Sequence, residues 1–229
     1  MKQKFKLSFF RVNEFAVSID WGNVMHEDIH RDILRFKFYL KRKITFKDIS
    51  HGFSSILIQF EETIVNYHEI CNRIKILYKE SQELHFHLIP KHWKIPVCYE
   101  SPFAIDLEFM SKKLKLSTQE IINYHTRSKY IIYFIGFLPG FFYLGGLNRK
   151  IHFPRRDNPR KRIAPGSIGI GEKQTGIYPV ESPGGWNIIG YTPYSFFDPY
   201  LVKKNIPQSG DTIEFFSISK QEIDKYSND

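Results

Sequence analysis

Cysteine is scarce in this chain: only Cys71 and Cys98 occur among 229 residues. They stand far apart and form no CxxC pair, which argues against a disulfide framework and against a cysteine-ligated zinc site. No apolar run approaches the ~20 residues that a membrane-spanning helix needs. The N-terminus, MKQKFKLSFFRVNEF, is basic, but Arg11 cuts its apolar run short, so it lacks the hydrophobic core of a signal peptide. These absences predict a reduced, cytoplasmic protein with no membrane partner. Internal repeats and low-complexity segments are missing too. So are GxGxxG, GxSxG and any convincing Ser-His-Asp arrangement. In GSIGIGEK, Gly166 and Gly171 have P-loop spacing, but Glu172 stands where the phosphate-reaching lysine belongs, and the glycines are expected to serve β-turns. His85 and His87 share one strand face without a third ligand, so no metal site is expected.

What is present is apolar bulk and positive charge. The chain is 42% hydrophobic and 16% aromatic, with 21 Phe and 13 Tyr, enough for one large core or two small ones. The formal charge is +9, but Lys and Arg are spread along the chain except in the run from Arg149 to Arg162, so nucleic acid is not an expected partner. Eleven of the fourteen glycines and eight of the twelve prolines fall between Gly136 and Pro199. Glycine permits positive φ and close backbone approach, and proline fixes φ. With Phe, Tyr, Trp and Ile throughout, that stretch reads as short buried strands joined by specified turns, a rigid scaffold for a site.

Periodicity divides the chain near residue 91. Before it, strands at 6–10 and 15–20, a helix at 28–41, strands at 44–49 and 54–60, and a helix capped by Thr63 and running to about Lys79 predict a small α+β layer. In the first helix Ile29, Ile33, Phe36 and Leu40 mark the buried face, with Arg31, Asp32, Arg35 and Lys41 off it. A further strand is expected at 84–89. After the boundary come a strand at 93–99, helices at 106–114 and 117–126, the second opened by a Ser117–Glu120 capping box, then strands at 130–135 and 212–218 around the Gly/Pro stretch. This half predicts a closed or partly closed β-barrel. The fold class is therefore α+β, with domains at 1–90 and 91–229.

Candidate site residues cluster in the second half. Arg155, Arg156 and Arg160 lie in a segment that Pro154 and Pro159 keep extended, and guanidinium forks recognise carboxylate or phosphate; Lys161 is expected to face solvent. Gln174, Thr175 and Tyr178 are read as a polar loop able to hydrogen-bond a small ligand. His125, near a helix end, is expected on its own to serve structure, with an acid-base role as the alternative. The SPGGW string puts Gly184 and Gly185 before Trp186, a pocket wall or partner surface, and Pro139, Gly140 and Gly166 shape the turns beside it.

The strings IPVCY (95–99), DLEF (106–109), GFLPGFFYLGGL (136–147), PRR (154–156), PR (159–160), PGSIGIGEKQTGIYP (165–179) and SPGGWNIIGYTP (182–193) carry a specific resemblance. From about residue 95 to 199 the chain resembles the family of the B-type subunit of 5-oxoprolinase, also called the KipI or allophanate hydrolase subunit 1 family. It departs from the family pattern in ESPFAID (100–106), where GGEFGPD is usual, in Ala164-Pro165, and at Tyr191, where arginine is common before Thr-Pro. The resemblance implies a small N-terminal α/β-sandwich and a cyclophilin-like barrel. It implies one component of an ATP-dependent 5-oxoprolinase that opens 5-oxo-L-proline to L-glutamate, working with a tightly bound C-type subunit and with an A-type subunit. ATP, with Mg2+, would be the cofactor of the assembled complex, and the chain alone is expected to be inactive. Asp106 and His125 become the candidate catalytic residues. Two alternatives remain: an inhibitor of a histidine kinase, as in the KipI branch, and a carboxyltransferase-like module of a urea-carboxylase type enzyme, which a fused biotin domain would favour.

Overall fold

Two compact units, residues 1–89 and 90–229, make up the chain. The computed structural model describes residues 5–195 and 206–227; the end of the Gly/Pro stretch, 196–199, lies outside the described residues. No helix among them is long and apolar enough to cross a membrane.

The first unit contains β1 (Ser8–Asn13), β2 (Ala16–Asp20), α1 (Glu27–Lys43), β3 (Asp48–His51), β4 (Ser55–Gln59) and α2 (Tyr67–Ser81). The strands pair antiparallel in the order β1-β2-β4-β3. The 3.6-residue period of α1 turns Ile29, Ile33, Phe36 and Leu40 inward, where they pack with Ile19, Ile56 and Ile58 of the sheet and Ile74 and Leu77 of α2. Burying each such side chain contributes about 1.5–3 kcal/mol. Three expectations are corrected. Asn66, not Thr63, caps α2, its side chain accepting from the Glu69 N–H at 3.1 Å. Residues 84–89 form no strand: their backbone finds no place in the four-stranded sheet, and the segment is held instead by the Phe86 ring against Phe38. Asp32 is not on the solvent face. It is buried and accepts from Trp21 Nε1 at 2.8 Å, the Tyr78 hydroxyl at 2.6 Å, Gln82 Nε2 at 3.3 Å, and Arg35. That set of donors makes the buried carboxylate tolerable.

The second unit is a closed seven-stranded barrel. In chain order it has β5 (His92–Cys98), α3 (Leu107–Leu114), α4 (Thr118–Thr126), β6 (Lys129–Ile135), β7 (Phe142–Gly145), β8 (Arg160–Ile163), β9 (Ser167–Gly171), β10 (Gln174–Ile177), β11 (Ser182–Gly184), β12 (Asn187–Tyr191), β13 (Thr212–Ile218) and α5 (Ile223–Tyr226). Around the wall the order is β10-β7-β6-β13-β5-β12-β9, closed by β9 on β10, while β8 and β11 form a separate ribbon. β5 and β13 pair in parallel from His92–Thr212 to Cys98–Ile218. Alternation along the strands sends Ile95, Val97, Ile132, Phe142, Leu144, Ile168, Ile170 and Phe215 into the lumen, so this is a packed core and not a channel. The capping box of α4 forms as its spacing predicts: the Ser117 N–H and hydroxyl both donate to Glu120 Oε2 at 2.8 Å, and these bonds hold the Glu120 carboxyl below its usual range.

The glycines of PGSIGIGEKQTG mostly do not serve turns. Gly169 and Gly171 lie inside β9 and Gly176 inside β10, on the outer face of the wall, beneath the indole of Trp186. A Cβ on Gly171 would stand 2.5 Å from Trp186 Nε1, and one on Gly176 2.5 Å from the Phe142 carbonyl. The hairpin turn itself falls to Glu172, a non-glycine residue at φ +57°, and Lys173. Gly166 does behave as a turn glycine, with φ +78° and no room for a Cβ beside the Thr192 carbonyl.

Candidate functional site

A carboxylate and two guanidinium groups define one corner of the barrel. Asp106 ends the loop entering α3 and is 2% exposed. Arg156 Nη1 donates to its Oδ1 at 3.0 Å, and Arg160 donates Nη1 to Oδ2 at 2.8 Å and Nη2 to Oδ1 at 2.6 Å. The Ile188 backbone N–H donates to Oδ2 at 2.7 Å, and the Asp106 N–H returns to the Ile188 carbonyl at 2.8 Å. Four donors occupy the capacity of an ionised carboxylate, so Asp106 has no free lone pair for proton transfer. The expected catalytic role gives way to a positioning one. Asp106 ties the proline-held segment 154–160 to α3 and β12. Arg160 spends its fork on Asp106, and Arg156 spends one nitrogen there while its Nε is buried without a partner among the described residues.

Arg155 differs from both. It is exposed, pairs with no carboxylate among the described residues, and sets its guanidinium carbon 5.9 Å from the centroid of the Trp186 ring. Trp186 is the hub of a second apolar cluster outside the wall, with Phe141 and Tyr143 edge-on to it at 5.4 and 5.7 Å. Tyr178, read from sequence as ligand-facing, is buried in this cluster, and burial pushes its phenol up to about 12. Gly184 is required there: a Cβ would lie 2.5 Å from the Tyr178 hydroxyl, whereas Gly185 leaves ordinary room beside Pro159. Pro139 and Gly140 form the turn before Phe141, Gly140 at φ +84°. Exposed Phe137, in the same turn, holds the left-handed φ of +67° and meets Phe141 edge-on.

Gln174 and Thr175 are on strand β10 and not on a loop, and strand alternation separates them. Gln174 lies on the outer face with Gly176, half-buried, its Nε2 without a partner among the described residues. Thr175 points into the lumen, fully buried, against His125. His125 is 0% exposed and stacks on Phe215 at 4.7 Å. Its Nδ1 and the Tyr99 hydroxyl are 2.6 Å apart, its Nε2 and Thr175 Oγ1 3.1 Å, and Thr175 donates to the Gly169 carbonyl at 2.9 Å. Burial holds the Tyr99 phenol well above its ordinary value, so Tyr99 donates to Nδ1 and Nε2–H donates to Thr175. Burial also lowers the His125 pKa to about 3. A neutral imidazole sealed in a satisfied chain holds α4 to the barrel and does not exchange protons with a substrate, which replaces its acid-base reading.

That burial has a pH consequence. The unfolded chain protonates this histidine near pH 6.5 and the folded one only near pH 3, so between those values the unfolded state binds more protons. Stability should fall as pH drops through this window, by up to about 1.4 kcal/mol per pH unit from this group. Denaturant unfolding of wild type and His125→Gln between pH 7 and 4 should show a pH slope shallower by one proton in the variant; equal slopes would contradict it.

Next to the carboxylate corner lies a surface pocket of about 460 Å³, lined by Phe109 and Lys113 of α3, by Phe153, Arg155 and Arg156, and by Asn187. Asn187 is buried and donates to the Pro154 carbonyl at 2.8 Å, fixing the start of the basic segment. Sequence reasoning did not single out Phe109, Lys113 or Asn187. The one available signal was Phe109 and Lys113, an aromatic and a cation four residues apart on α3. At Tyr191, where the family pattern has arginine, the ring stacks on Phe103 at 4.8 Å, so the altered 100–106 segment takes up this departure by packing.

Residues 7–206, which include every group in this corner, match the family described as carboxyltransferase domain, subdomain C and D. The chain belongs to the carboxyltransferase-domain family. It is 36% identical over 185 residues to the B-type subunit of 5-oxoprolinase from Haemophilus influenzae, covering 81% of this chain and 85% of that one. It is 42% identical over 136 residues to the corresponding 5-oxoprolinase subunit from Bacillus subtilis, covering 59% of this chain and 57% of that one. The match thus spans little more than half of the Bacillus relative. Among solved structures, Kluyveromyces lactis urea carboxylase superposes with a TM-score of 0.81 at 18% identity, over 98% of this chain and 23% of that one, a likeness of fold. That likeness shows the fold alone and carries no role for the residues of the corner.

Proposed function

We propose that this chain is the B-type subunit of an ATP-dependent 5-oxoprolinase, opening the lactam of 5-oxo-L-proline to L-glutamate together with A-type and C-type subunits. The observation that carries this reading is the 36% identity to the Haemophilus influenzae 5-oxoprolinase subunit along 85% of that protein. The chemistry supports a shared site. Lactam hydrolysis coupled to ATP cleavage needs donors where negative charge develops and cations for the phosphates. This chain offers Arg155 and its neighbours for anions, while Glu172 replaces the lysine of a P-loop and His125 and Asp106 are committed to structure. The partner subunits supply the remaining groups, and ATP with Mg2+ is turned over by the assembled complex. The test is to purify the chain alone and co-expressed with the A-type and C-type subunits, and to follow 5-oxoproline-dependent glutamate and ADP release. The chain alone should show neither activity, and the co-purified complex should release both. Robust turnover by the lone chain would refute the shared-site reading. Failure to co-purify, with inhibition of a histidine kinase's autophosphorylation instead, would favour the kinase-inhibitor reading.

A further inference from the structure

We propose that Lys37, in the first unit, is a modification site: an amine that an acyl phosphate acylates, with His51 as the proton acceptor. The inference is independent of the proposed function. Lys37 on α1 reaches across to β3, where its Nζ stands 3.0 Å from His51 Nδ1. A charged amine has only donors to offer, so Nδ1 supplies the lone pair of this contact. The buried His30 ring stacks on His51 with centroids 6.3 Å apart and planes 25° apart, which holds the imidazole in place. Lys37 is half-buried, so its amine is sheltered and still open to a small reagent. Burial first, and then the charge of Lys41, pull its pKa below the ordinary lysine value, while Asp48 opposes them. An amine beside a base within hydrogen-bond reach, in surroundings that disfavour its charged form, is the arrangement that activates a nucleophile.

The surroundings select the reagent. Lys41 follows Lys37 by four residues, one turn along the same helix face, and Arg42 and Lys43 complete a basic last turn. Such a cluster concentrates anions beside the amine. It favours an acyl phosphate, whose leaving group carries negative charge, over an uncharged acyl donor. Lys41 holds the phosphate while Nζ meets the carbonyl carbon. From the neutral amine, the Nζ lone pair forms the N–C bond, and the C–O bond to phosphate breaks with its electron pair leaving on the phosphate. The proton released from Nζ passes to His51 Nδ1 and from there to the departing phosphate. The product is a neutral amide on Lys37, which removes one positive charge between α1 and β3.

The test is to incubate the full chain with acetyl phosphate and to follow acetylation of each lysine by peptide mass spectrometry. Lys37 should react about tenfold or more faster than Lys41, an exposed neighbour that meets the same reagent. His51→Gln keeps a hydrogen-bond acceptor but takes up no proton, and it should slow Lys37 by about tenfold or more while the other lysines keep their rates. Melting curves check that the variant folds. Lys41→Gln, at an exposed position, supplies a second reading: it should slow Lys37 more with acetyl phosphate than with the uncharged N-hydroxysuccinimidyl acetate. A Lys37 that reacts no faster than exposed lysines, or that is indifferent to His51→Gln, overturns the proposal. Equal slowing of the two reagents by Lys41→Gln overturns its assignment to an acyl phosphate. The lone chain suffices for every arm, so failure here leaves glutamate release by the complex as a separate result.

Discussion

Asp106→Ala is expected to lower the stability of the barrel unit by about 3 kcal/mol, which corresponds to a fall of about 10 °C in its melting temperature. The carboxylate is buried, accepts four hydrogen bonds, and joins segments 50, 54 and 82 residues apart in sequence. Removing it strands two guanidinium groups and the Ile188 N–H. The side chains of Arg156 and Arg160 retain 32% and 25% of their exposure and can turn partly to water, which keeps the cost at the low end of what breaking a buried pair exacts. Arg160→Ala should destabilise as well. The double variant should be less destabilised than the sum of the two by about 1–2 kcal/mol. Thermal and denaturant unfolding check both statements; additive effects, or an Asp106→Ala melting temperature equal to wild type, would remove the corner from the account.

Arg155→Ala is expected to behave in the opposite way. Its guanidinium pairs with no carboxylate among the described residues and lies over Trp186 at the edge of the basic pocket, so unfolding should change by no more than about 0.5 kcal/mol. Activity of the assembled enzyme should fall about 10- to 100-fold, since a hydrogen bond to a charged group contributes about 1.5–3 kcal/mol. The prediction divides three arginines that look equivalent in the sequence. Arg160 acts through stability, Arg155 through activity, and Arg156 through both. A stability loss in Arg155→Ala equal to that of Arg160→Ala would contradict the division.

What could be read in the sequence was mostly local. The Ser117–Glu120 capping box, the buried face of α1 and the strand over 93–99 depend on neighbours within a turn or on simple alternation, and all three form. The closed barrel was legible from Gly/Pro-punctuated apolar strands. What escaped depends on partners distant in the chain. Asp32 is buried because Trp21, Tyr78 and Gln82 converge on it from 11, 46 and 50 residues away. Asp106 and His125 stood out as residues, His125 with the structural role that its position alone favours, but the partners that surround both are set by barrel closure. The glycines of β9 and β10 were read as turn residues because spacing cannot show an indole lying across a strand face. Residues 84–89 have strand-like composition, and pairing, which no local pattern reports, decides against them. The motif resemblance marked the basic segment, while the pocket became visible only when α3 was placed beside it.

If this chain is a necessary, anion-binding component of a 5-oxoprolinase, a reconstitution will depend on it and on Arg155. Glutamate release from 5-oxo-L-proline and ATP is measured with the A-type and C-type subunits alone, with this chain added, and with its Arg155→Ala variant added. Release is expected only when the wild-type chain is present, and about 10- to 100-fold less with the variant. Equal release without the chain, or undiminished release with Arg155→Ala, would contradict it.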